Sequence, residues 1–411
     1  MTATVGREYP SYYKWVMLAL FVAMNFLANF CQFQPSFFAQ DIMDTFGITS
    51  QLFTLMTSLP MAVGLFLAIA AGQLSDKFGL HKTVFIALLV SAIGGIIRAF
   101  CGSYVPLLIM TLLIGFTSTF CNANIAKVAM MWFPARQVSM AVGIINAGAA
   151  AGLAVAQGIS GLLFDDFYTA FLWGGIAMAV LCALWGIFGR DKLIPQKSSE
   201  ADGDAAEGKG IGDVVKSRNL WFAGLGGACY NGFNVTIGSL LITALVATWG
   251  TDQVVAGITA SLFTVGCAVG SVAIPSWIVH VRKAKAVCIL LPIVSIAMVY
   301  IGWSINVDAL RFVLFPIAGF IFGSIYPICL SYPSILPEVD EQNSGAAGGL
   351  ITSIALAGGI IVPTFIVTPI AGTDYRLMMN IVCCIGLVII LAFAMLPSVY
   401  SGDSGEDGSK A

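Results

Sequence analysis

Runs of about twenty apolar residues alternate with short polar turns along almost the whole chain. A helix needs roughly twenty apolar residues to cross a bilayer. The pattern predicts twelve such helices, over 15–38, 51–74, 83–101, 105–132, 139–162, 169–188, 220–248, 254–279, 286–305, 310–332, 346–370 and 377–397. One polar stretch is long, and its core KSSEADGDAAEGKG has the composition of a flexible linker. The predicted organisation is a polar N-terminal segment (1–14), a six-helix half (15–188), a linker (189–219), a second six-helix half (220–397) and a polar tail (398–411). The expected fold class is an all-α membrane protein of twelve transmembrane helices in two pseudo-symmetric halves. The first apolar run is full length, unlike the short core of a cleaved signal, and is read as a retained span.

Composition agrees with the pattern. Of 411 residues, 58% are hydrophobic and 10% charged, whereas soluble domains carry about a quarter charged residues. The net charge of −2 excludes the basic face a nucleic-acid partner requires. The ten cysteines fall almost entirely inside apolar runs, without a CxxC pair or a Cys/His cluster, and read as small apolar fillers. No cofactor, metal site or catalytic constellation is expected, which argues against a membrane enzyme. The short, polar linker leaves no room for the added soluble domain of a membrane sensor. The expected partners are the lipid bilayer and a small-molecule substrate, and the chain is expected to be a monomer.

The basic residues give an orientation. With the N-terminus in the cytoplasm, sixteen of nineteen Lys and Arg fall on cytoplasmic segments, and Arg98, Arg311 and Arg376 fall on the other side. This obeys the positive-inside rule and puts both termini in the cytoplasm of a multi-pass inner-membrane protein.

Candidate chemistry is sparse. All twenty-one acidic residues lie in loops, span ends, linker or tail, and both histidines lie in loops. Without an intramembrane carboxylate to titrate, exchange or facilitated movement is expected rather than carboxylate-driven proton symport. Lys127 is the one deep cation, and nothing acidic opposes it in the sequence; it is a candidate anion-binding charge or a side chain snorkelling to the interface. Arg98, near the end of the third span, is expected to be an interfacial anchor. Asn25, Asn29 and Gln32 share one face of the first span; Asn231 and Asn234 share a face of the seventh, beside Tyr230. Asn122 and Tyr326 lie in the fourth and tenth spans. Amides facing lipid would be costly, so these residues line either a cavity or helix contacts. Spans five and eleven are rich in small residues, and Gly148, Gly152, Gly349, Gly358 and Gly359 are candidates for close helix packing.

The turn between spans two and three reads GQLSDKFGLHK, from Gly72 to Lys82. A degraded copy, PSWIVHVRKAKAV, follows the eighth span, where Val279 replaces the aspartate and both glycines are lost. This is what two related halves predict. The turn resembles the signature loop of major facilitator superfamily transporters. The resemblance implies alternating access by rocking of two halves around a central cavity, with spans one, four, seven and ten lining it. It also implies conformational gating by Gly72, Asp76, Lys77, Gly79 and Lys82. Spans five and eleven are similar to the nitrate signatures of nitrate/nitrite porters, through Asn146, Gly148, Gly152, Gln157, Gly348, Gly358 and Pro363, although Ala150 and Ala151 replace that family's Gly-Asn pair. The two arginines that hold nitrate in that family are absent: their positions carry Ala68 and Ser271. The stretch from Ile93 to Pro134 resembles cyanate and oxalate/formate carriers. The expectation is a carrier of a small organic or inorganic anion, the alternatives being a neutral polar solute or hydrophobic drug efflux.

Overall fold

The computed structural model describes residues 10–191, 217–278, 281, 284–332, 336, 339 and 344–397. The linker core, the tail, and most of the polar loop after the eighth span lie outside the described residues. Twelve helices long and apolar enough to cross a membrane are present among the described residues: Tyr13–Ser36, Ser50–Ala68, Leu80–Phe100, Tyr104–Trp132, Met140–Gly158, Phe167–Phe188, Arg218–Trp249, Gln253–Ile278, Lys285–Ser304, Asp308–Ser331, Ala347–Ala371 and Tyr375–Met395. They are called the first to twelfth spans below.

The residues at the span ends explain where the helices begin and stop. Asp166 caps the sixth span by accepting the Thr169 backbone N–H, and Asp374 caps the twelfth by accepting those of Arg376 and Leu377. Pro35 lies in a single 3-10 turn, Gln34–Ser36, that finishes the first span. The second span is two helices, Ser50–Ser58 and Pro60–Phe78, with the proline at the first position of the second piece.

The helices gather into two compact units. Unit 1 holds 1–48 and 59–205; unit 2 holds 49–58 and 206–411. The N-terminal half expected from the sequence, 15–188, holds the whole second span, whereas the first helix of that span groups with unit 2.

Within each unit the same neighbours touch in the same way. In unit 1, a Cβ on Gly152 of the fifth span would sit 2.1 Å from the Phe26 carbonyl of the first. In unit 2, one on Gly358 of the eleventh would sit 2.4 Å from the Ala228 backbone of the seventh. The second and fourth spans meet at Pro60 and Gly115, the eighth and tenth at Gly266 and Pro316. The third and sixth meet at Gly95 and Gly175, the ninth and twelfth at Ile296 and Gly386. Small residues let backbones approach and gain dispersion contacts that a bilayer does not otherwise reward. Gly148 plays this part against Val22, and Gly359 is buried. Gly349 does not: a Cβ there meets nothing within 4 Å. Glycine content alone did not separate a packed face from an open one.

Phe21, Met24, Leu88, Cys121, Met178 and Trp185 fill the core of unit 1. In unit 2, Phe233 lies between Phe263 and Phe322, and Phe315 lies against Phe263.

Candidate functional site

In unit 1 the first span turns its amides inward. Asn25 is fully buried, and among the described residues its side-chain amide has no partner. Asn29, half-buried, donates to the Asn25 carbonyl at 2.9 Å. Gln32 is buried, as is Gln34, whose amide donates to the Ala170 carbonyl at 3.0 Å. The strip is therefore buried at Asn25 and Gln32 and half-buried at Asn29.

The fourth span presents Asn122 on its exposed side and buries Asn124, which donates to Ser75 Oγ at 2.9 Å and to the Phe120 carbonyl at 2.8 Å. One turn on, Lys127 Nζ lies 2.7 Å from Asp76 Oδ1 and 3.1 Å from the Ser75 carbonyl. The cation is thus opposed by a carboxylate, contrary to the sequence reading. Its ammonium also meets a carbonyl near the end of the Pro60–Phe78 helix, where the macrodipole is negative.

The turn that follows Asp76 is held by its backbone geometry and by the carboxylate of Asp191. Gly79 adopts φ +90°, which L side chains rarely take, and a Cβ there would lie 2.6 Å from Asp191 Oδ2. The other Asp191 oxygen accepts the His81 backbone N–H at 2.8 Å. The His81 ring stacks on Trp185, and Trp185 Nε1 donates back to the His81 carbonyl at 3.0 Å. Lys77 and Lys82 are exposed, Lys77 beside the Phe78 ring. Gly72 faces open space. Asp191, the anchor of this turn, was not singled out from the sequence; its distance along the chain gave no signal.

Arg98 departs from the expected interfacial anchor. It is fully buried, donating to the Cys31 carbonyl at 2.8 Å and to Gln34 Oε1 at 3.2 Å, with its guanidinium 4.2 Å from the Phe171 ring centre. Cys31 belongs to the last turn of the first helix, so the cation meets the carbonyl end of a helix.

In unit 2 the structure brings Tyr230 and Tyr326 together. Tyr230 stacks on Tyr326, with ring centres 5.6 Å apart and planes 10° apart, and on Phe322, at 4.9 Å and 15°. Both tyrosines are half-buried, as are Asn231 and Asn234 on the seventh span. The Tyr326 hydroxyl is hydrogen-bonded to Thr352 of the eleventh span. An aromatic surface edged by uncharged amides can take the apolar face of a ring while hydrogen-bonding its substituents. Phe322 was missed in the sequence, although it lies four residues before Tyr326 and so on the same helical face.

A sequence profile of the Major Facilitator Superfamily matches residues 17–363. The hexuronate transporter of Bacillus subtilis (strain 168) is 24% identical over 369 residues, covering 85% of this chain and 86% of that protein. The hexuronate transporter of Escherichia coli (strain K12) is 21% identical over 225 residues, 51% of this chain and 52% of that protein. Among solved structures, a bacterial homologue of the human lysosomal transporter Spinster, inward-facing and unoccupied, superimposes with a TM-score of 0.75 at 14% identity, over 96% of this chain and 97% of that one. At that identity the likeness concerns the fold.

Proposed function

The chain belongs to the Major Facilitator Superfamily, a multi-pass membrane transporter of a small solute rather than an enzyme, and we propose that its solute is a ring-shaped, polyhydroxylated organic acid of the hexuronate kind. The observation that carries this reading is the half-buried Tyr230–Tyr326 stack, with Asn231 and Asn234 also half-buried on the seventh span. A pyranose ring offers C–H bonds on its faces and hydroxyls on its rim, and this surface offers aromatic faces and amides in the same sense. Two relatives named as hexuronate transporters support the acid.

Lys127 is not the carboxylate's partner in this reading, because Asp76 already occupies it. Amides and hydroxyls then bear the recognition of the acid, with Asn29 and Asn122 as the candidate contributors of unit 1. That same ion pair favours a second reading, a neutral sugar. Nitrate is disfavoured, since Ala68 and Ser271 stand where paired guanidiniums would be needed. The proposed mechanism is alternating access of the two halves in a cytoplasmic membrane, both termini inside.

Coupling is proposed to be exchange or facilitated movement. Among the described spans the only carboxylates are Asp308, the first residue of the tenth, and Asp76, exposed in the last turn of the helix that ends the second, so none sits deep enough to serve as an intramembrane proton carrier.

Uptake of labelled glucuronate, glucose and formate into proteoliposomes tests the reading. Saturable glucuronate uptake that survives collapse of the proton gradient, and that falls at least tenfold in Tyr230→Ala, is expected. Glucose uptake in place of glucuronate selects the neutral reading. Formate uptake with neither sugar would sink both.

A further inference from the structure

The chain enters its first span through Tyr12, Tyr13, Lys14 and Trp15. Beyond them, Leu18, Val22 and Phe26 follow Trp15 at spacings of three and four residues and so share one face. That face and Ile144 of the fifth span wall an open groove of about 500 Å³ in unit 1. Ala19 and Ala23 lie between the larger side chains, and their small volume leaves the trough. No hydroxyl, amide or charged side chain lines it. From Trp15 to Phe26 the groove runs about 16 Å along the helix, close to half of the ~30 Å hydrocarbon core of a bilayer.

The mouth of the groove has a different chemistry. Tyr12 and Trp15 are exposed, and these are the residue types that sit at headgroup level. Lys14 is half-buried between them. Its ammonium lies 5.4 Å from the Trp15 ring centre, 5.6 Å from that of Phe133 and 3.4 Å from Gln137 Oε1. Among the described residues no carboxylate pairs with it, in contrast to Lys127, which has Asp76.

Wall, length and mouth together select the occupant. A polyhydroxylated acid laid in this groove would leave its hydroxyls unpaired against an apolar surface, so the groove does not suit the solute proposed above. A hydrocarbon chain leaves nothing unpaired, and it supplies the dispersion contacts that an empty trough forfeits. Lipid tails are as apolar as the groove, so a chain by itself gives little preference for one lipid over another. Lys14 supplies the preference, because a cation at headgroup level attracts an anionic lipid.

We propose that this face of unit 1 binds one anionic phospholipid, its phosphate on the Lys14 ammonium and one acyl chain laid from Trp15 to Phe26 against Ile144. The lipid lies in the leaflet at the N-terminal end of the first span, the cytoplasmic one in the orientation proposed above. Its chain covers the side chains of Val22 and Phe26, whose carbonyls lie against Gly148 and Gly152. An occupied groove therefore braces the contact between the first and fifth spans. The proposal does not depend on the choice of solute.

The test is native mass spectrometry of the delipidated, detergent-purified protein, with the unfolding midpoint read in parallel. The probes are phosphatidylglycerol, phosphatidylcholine of the same acyl chains, and glycerol phosphate. The expected result is one retained phosphatidylglycerol that raises the midpoint, with phosphatidylcholine held about fivefold more weakly. Lys14→Gln brings the two lipids level, and Lys14→Arg keeps the preference. Ala19→Trp, at an exposed position, fills the groove and abolishes retention of both lipids while the midpoint of the lipid-free protein stays where it was. Phosphatidylglycerol held by Ala19→Trp as by the parent would overturn the groove. Equal retention of the two lipids by the parent would overturn the role of Lys14 and with it the anionic lipid. The same rise in midpoint from glycerol phosphate would reduce the site to a bare anion contact. Displacement of the lipid by glucuronate would put the groove on the path of the solute and overturn the lipid reading.

Discussion

Among the described residues each unit buries one arginine completely, Arg98 at the end of the third span and Arg311 near the start of the tenth, and the two are satisfied in different ways. Arg311 has a carboxylate, Asp308 at 2.8 Å, and also Thr251, Asn306 and the Gly302 carbonyl. Among the described residues Arg98 has only the Cys31 carbonyl, the Gln34 amide oxygen and the Phe171 ring, and its Nε is without a partner. What they share is a carbonyl near the end of a helix, Cys31 in the first helix and Gly302 in the ninth. Lys127 repeats the theme on the second. Each of the three cations meets a carbonyl near the negative end of a helix dipole, and Lys127 and Arg311 have in addition a carboxylate, at 2.7 and 2.8 Å. That is why a scarcity of intramembrane acids in the sequence did not mean free, anion-seeking cations in the structure.

Substitutions can break this comparison. Arg98→Ala removes two charge-assisted hydrogen bonds and opens a cavity, and should cost about 3–5 kcal/mol, read as a large drop in the unfolding midpoint of the purified protein. Gln34→Leu leaves the buried guanidinium with the Cys31 carbonyl and the Phe171 ring and should cost about 2 kcal/mol. Asp308→Asn should cost about 1 kcal/mol or less, because Asp308 is half-exposed and Arg311 keeps three other acceptors. If Asp308→Asn proved costlier than Gln34→Leu, the carboxylate would be the essential partner and the helix-end account would fail.

The smallest expected effect concerns a feature the units have in common, the aspartate caps of the sixth and twelfth spans. Asp166→Ala should cost about 0.5–1 kcal/mol. The Thr169 backbone N–H holds the Asp166 carboxyl below its usual range. A lowered folded value means that the contribution is present above pH about 4, the ordinary carboxylate value, and fades as the pH falls below it. Melting curves for both proteins should therefore converge in acid; parallel curves down to pH 3 would remove the charge from the cap's account.

The sequence by itself determined the number of spans, the superfamily and the repeat, because each depends on local quantities. Twenty apolar residues can satisfy their backbone only as a helix in lipid, and the Gly72–Lys82 turn is a contiguous motif. Gly79 was legible for the same reason: its left-handed backbone is a property of one residue. Only the tertiary structure decided which face of each helix meets protein. Asn25, Asn29 and Gln32 share a face in any helix, but whether it opens to solvent or closes on neighbouring spans depends on how that helix is rotated against them. Arg98 and Lys127 looked alike as cations near span ends, and their partners lie dozens of residues away in sequence. Long-range partners decide the function of a polar group in a membrane, because no water is at hand to satisfy it otherwise.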